Sequence, residues 1–150
     1  MVELFEQDRF TIKFNKQKNV FMVNGITLGN SRKDVVNKLG NPVRSEQYET
    51  GDGETDCNIY YLKDSTGKDI ETHYCSYIGM GDTIESMSFK FFPKHLNEKW
   101  YKDLGKPFRN DDAPLFYLKG TEQLLLLKPN EEVGFLSYAD GNFYHYYQKE

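Results

Sequence analysis

At 150 residues the chain has the length of one domain, and a chain of that size can bury roughly 70% of its unfolded surface. Its net charge of −4 comes without the clustered Lys and Arg that drive nucleic-acid binding, so that class is set aside. No apolar run reaches transmembrane length, and no membrane insertion is expected.

Aromatic residues make up 15% of the chain, with eleven Tyr and eleven Phe. Rings in that number suit strands with one wet face, or a contact surface where a rigid ring carries a polar tip. Residues 1–9 are polar and mixed and read as a loosely held end. Phe10 to Phe14 alternates apolar and polar, and Val20 to Val23 follows after the turn Asn15 to Asn19, which predicts a hairpin. Asn24-Gly25 is a further turn signal. Ser31 then offers an N-cap hydroxyl with Asp34 three residues on, and Val35, Val36 and Leu39 form the apolar stripe of a short helix. Two to three turns of helix are marginal alone, so this one needs a sheet to lie on.

After Pro42 the pattern turns β. Val43–Tyr48 reads as a strand, Glu49–Asp56 as an acidic loop, and Cys57–Leu62, Ile70–Ile78 and Thr83–Phe92 as three more strands. A second helix is predicted over Lys94–Leu104, with Leu96, Trp100 and Leu104 on one face. Strands at Leu115–Leu118, Gln123–Lys128, Val133–Tyr138 and Phe143–Tyr147 complete the chain. Asp140-Gly141 predicts a tight hairpin pairing Tyr138 with Phe143, Ser137 with Tyr144 and Phe135 with Tyr146.

One segment occurs twice. Leu39, Gly40, Pro42 and Arg44 recur sixty-five positions later as Leu104, Gly105, Pro107 and Arg109. Gly after the last apolar residue and Pro two places on are helix-ending chemistry. The expected fold is therefore α+β: two tandem helix–four-strand repeats forming one curved antiparallel sheet, with both helices on one face and an N-terminal β-hairpin added. The expected organisation is one compact domain over 1–150, with a hairpin and lead-in at 10–29, a first repeat at 30–92 and a second at 93–147.

Gly25 to Ser31, Val35-Val36 and Leu39 to Pro42 together resemble the helix-and-LGxP segment of the β-lactamase-inhibitory-protein-like superfamily. The layout is also similar to small bacterial immunity-type proteins that neutralise a toxin. The resemblance implies a non-catalytic protein-binding module that uses the open face of a curved sheet. The chain departs from that pattern in lacking the lipidated cysteine of the envelope lipoproteins. It also has only Cys57 and Cys75, both in the first half, where the secreted inhibitor has disulfides in both.

A symmetric turn near Thr66 would set Cys57 and Cys75 directly opposite each other on adjacent strands, close enough for a disulfide. A bridge in a secreted protein and two reduced thiols in a cytosolic one both stand open. Compartment follows the same split: cytoplasmic if the chain is native and full length, secreted or envelope if a signal peptide has been removed. His73 and Cys75 share a strand face, but no second close pair exists to complete a metal site, and no Cys–His couple has an orienting third residue. No catalytic residue, metal or cofactor is expected. The candidate contact residues are the rings Tyr60, Tyr74, Phe135, Tyr144 and Tyr146, with the acids Glu49, Asp52 and Glu54 steering a basic partner. The expected function is inhibition or neutralisation of a toxin or enzyme by occlusion through the open sheet face. The alternative is a domain of a bacterial envelope or cell-wall protein with a scaffolding or assembly role.

Overall fold

The structure, a computed structural model, describes residues 2–7, 10–50, 53–63, 67–77, 82–90, 102, 104–105, 107, 109–110, 114–118, 120–128 and 133–138. It begins with three strands, β1 (Val2–Gln7), β2 (Phe10–Asn15) and β3 (Val20–Val23), paired antiparallel in the order β1-β2-β3. The end expected to be loose is thus a strand, with a register shift between Glu3 and Phe5. Between β2 and β3 the Asn15 side chain accepts from the backbone N–H groups of Gln17 and Lys18, and Asn19 takes a positive φ of 57°. That is the local bonding for which Asn is favoured in turns. Phe10, Ile12 and Phe14 of β2 and Phe21 and Val23 of β3 are buried, as period-2 alternation requires of one face.

The helix α1 (Arg32–Leu39) starts on a capping box. Ser31 Oγ accepts from the Asp34 N–H at 3.0 Å, and Asp34 Oδ2 accepts from the Ser31 N–H at 3.0 Å, so two otherwise orphaned donors are satisfied. Gly40 ends it with φ 84°, a conformation that disfavours any residue with a Cβ. Val35 is fully buried and Leu39 packs partly against the core, whereas Val36 is only half-buried. Arg32 reaches the next layer, donating to Asp56 and Asn58 and so pinning the first turn to it.

The remaining strands make one antiparallel sheet: β4 (Arg44–Thr50), β5 (Gly53–Lys63), β6 (Asp69–Tyr77), β7 (Ser86–Phe89), β8 (Arg109–Asn110), β9 (Pro114–Leu118), β10 (Gln123–Lys128) and β11 (Val133–Tyr138). Their order is β4-β5-β6-β7-β11-β10-β9-β8. The later strands enter in reverse, so β7 and β11 meet at the seam and β4 and β8 form the edges. The inner face carries Tyr60, Leu62, Ile70, Tyr74, Met87, Phe89, Phe116, Leu118, Leu125, Leu127 and Leu136. These pack against the buried side of β2 and β3 and against Val35 in a single cluster. The N-terminal hairpin straddles the seam. Tyr74 Oη on β6 donates to Val23 O at 2.9 Å, while Gln123 on β10 accepts from the Phe21 N–H at 3.2 Å.

This arrangement corrects the expected α+β layout of two helices on one sheet. The protein is mostly β, and α1 is the one helix whose bounds are defined among the described residues. The physical reason is that the three-stranded sheet, together with α1, covers the apolar inner face that two helices were expected to cover. Of Lys94–Leu104 only Lys102 and Leu104 are described, both with helical backbone, and Leu104 packs partly against the core. Gly105 repeats the Gly40 geometry with φ 81°.

Two further expectations change. The acidic stretch is not a loop, because β4 runs to Thr50 and β5 resumes at Gly53, which places Glu49 opposite Glu54 within the ladder. Phe143–Tyr147 lies outside the described residues. The hairpin pairing expected for it with Phe135, Ser137 and Tyr138 falls there too.

Candidate protein-binding face

Side chains alternate along each strand, so the ladder registers assign the outer face residue by residue. One row crosses the whole sheet: Arg44, Ile59, His73, Ser88, Phe135, Leu126, Leu115 and Arg109 are successive partners. The next row contains Glu46, Cys57, Cys75 and Ser86. Cys57 and Cys75 are directly opposed and joined by a disulfide, both buried.

Around this bridge the face is polar and tightly bonded. Glu71, with a mostly buried side chain, accepts from Lys90 Nζ at 2.9 Å, Tyr61 Oη at 2.7 Å and Arg44 Nη2 at 3.3 Å, and contacts His73 Nε2 at 3.0 Å. Burial alone would raise its carboxyl, but the hydrogen bonds from Lys90, Tyr61, His73 and Arg44 outweigh it and hold it down at about 2. Arg44 is the second hub. Its Nε donates to Glu46 Oε1 at 2.6 Å, Nη1 donates to Tyr61 Oη at 2.6 Å, and its guanidinium lies 5.6 Å from the Tyr61 ring centre. Glu46 also accepts from the Tyr48 hydroxyl, which is pushed up to about 12 by that bond. Arg44 and then Tyr48 hold the Glu46 carboxyl below its usual range.

Both carboxylates are thus ionised and engaged by neighbouring donors. Their hydrogen bonds fix the hydroxyls of Tyr48 and Tyr61. Tyr48 and Tyr61 are fastened at their hydroxyls, yet the residues remain 39% and 36% exposed. Across the seam the same face becomes apolar: Phe135 is 40% exposed, beside half-buried Leu124, Leu126 and Val133.

Of the residues singled out from sequence, Phe135, Glu49 and Glu54 are exposed. The two acids face each other at the far end of the β4–β5 hairpin, away from Phe135. Tyr60 and Tyr74 are corrected. They lie on the inner face, 3% and 0% exposed, with their rings edge-on at 5.8 Å. Burial raises the pKa of both hydroxyls; Tyr60 donates to Gly40 O at 2.8 Å and Tyr74 to Val23 O. Asp52, Tyr144 and Tyr146 lie outside the described residues. Sequence reading missed Arg44, Tyr48, Tyr61, Glu71 and Lys90. The signal was available, because the strand period puts Tyr61 on the same face as Cys57 and puts Tyr60 on the other.

No family model matches the chain, and no curated protein does. Among solved structures it is similar to a DUF4309 family protein (YjgB) from Bacillus subtilis subsp. subtilis str. 168. The two share 14% identity over 73% of this chain and 78% of that one, with a TM-score of 0.42. A likeness at that level carries no argument about fold or function.

Proposed function

We propose that this chain is a non-catalytic protein-binding module that inhibits or neutralises a partner by covering it with the outer face of the large sheet. The observation that carries this reading is the pair of Tyr48 and Tyr61, exposed rings whose hydroxyls are already tied to Glu46 and Glu71. A ring held in place before contact loses little conformational freedom on binding, and Tyr is favoured at interface hot spots. Phe135 on the same face would supply an apolar anchor. A toxin or an enzyme is the kind of partner this reading calls for.

The experiment is affinity capture from the source organism with the wild-type chain and with Tyr48→Ala, Tyr61→Ala and Phe135→Ala, alongside Lys16→Ala on the β2–β3 turn. Capture of one protein that is lost in the three face variants, while each keeps its β-sheet circular dichroism spectrum, and is kept in Lys16→Ala, supports the reading. Capture indifferent to the face variants, or turnover of a small substrate, overturns it.

A second reading, a scaffolding or assembly domain of an envelope or cell-wall protein, is favoured by the Cys57–Cys75 disulfide, since such bridges persist in oxidising compartments. Capture of a cell-wall component, in place of a toxin or enzyme, would select it.

A further inference from the structure

We draw no further inference here: the strongest candidate, the half-exposed apolar strip of Leu124, Leu126 and Phe135 on the outer face of the large sheet, carries nothing because nothing in the structure shows what covers it.

Discussion

Arg44 and Arg109 stand at opposite ends of one continuous row of cross-strand neighbours that traverses the whole eight-stranded sheet. Each follows a glycine of positive φ and a proline, Gly40 and Pro42 for one and Gly105 and Pro107 for the other. The matched segments therefore deliver the chain to the two outer edges. Every ladder between them must hold its register for the row to exist, because a one-residue slip reverses which side of a strand faces the core.

Gly134 is required at the seam. It sits opposite Phe89, and a Cβ there would come within 2.1 Å of the Phe89 ring. That ring cannot easily swing away, since it is fully buried and packs 5.8 Å from Phe10. Gly134→Ala should destabilise the protein by about 1–3 kcal/mol, the usual range for overpacking a core. Urea denaturation reads the shift, and an unchanged midpoint would contradict the tight seam.

Thr72 lies on the inner face between Tyr60 and Phe89, and its hydroxyl finds no hydrogen-bond partner among the described protein groups. A buried hydroxyl left unpaired costs about 1–3 kcal/mol, so replacing it with a methyl removes a penalty. Thr72→Val is expected to leave the urea midpoint unchanged or raise it. A marked fall would mean the hydroxyl is bonded in solution.

The Cys57–Cys75 bridge spans 18 residues of chain within a hairpin already paired from Thr55↔Tyr77 to Lys63↔Asp69. Closing a loop of that size stabilises by about 3 kcal/mol, mainly by restricting the unfolded chain. The double variant Cys57→Ser with Cys75→Ser should keep its β-sheet circular dichroism spectrum while losing roughly that much in denaturant titration. Ellman titration of unfolded protein prepared without reductant should find no thiol. Finding two would remove the bridge.

Glu71 sets the acid limb of stability. Its carboxyl is held at about 2 in the folded protein, below its ordinary 4.5. A lowered folded pKa contributes stability that is fully present above the unfolded value and lost as pH falls toward the folded one. Stability should therefore decline between about pH 4.5 and 2, and Glu71→Gln should flatten that decline while lowering the plateau at neutral pH. Melting temperatures across pH 2–7 for both proteins make the comparison. Parallel curves would mean that Glu71 is not the hub.

Parts of the fold were plain in the residues. Gln123–Lys128 and Val133–Tyr138 are strands with the bounds expected for them, and Ser31 with Asp34 caps α1 as their spacing requires. These features are local, and local chemistry is written in neighbouring residues. The seam between β7 and β11 is not local: Phe89 meets Gly134 because of how two distant ladders close. The polar alternation of Val2–Gln7 hid a strand whose stability comes from β2 rather than from its own composition. Which tyrosines are wet was half legible. Cys57 opposite Cys75 gives the parity of β5 and β6, and that parity sends Tyr60 and Tyr74 inward and Tyr61 outward. The hubs at Glu71 and Arg44 draw on strands β4 to β6 and on Lys90, so no single stretch announces them.

The N-terminal hairpin's reach across the sheet bears on biogenesis. Phe21 finds its acceptor on Gln123, 102 positions away, so that bond cannot form until residue 123 has also left the ribosome. Until then Phe10, Ile12, Phe14 and Phe21 lack much of the surface that finally encloses them. Such distant pairings slow folding and leave sticky strands unprotected in the interval. Residues 10–23 are thus among the last to be fully enclosed as the chain folds.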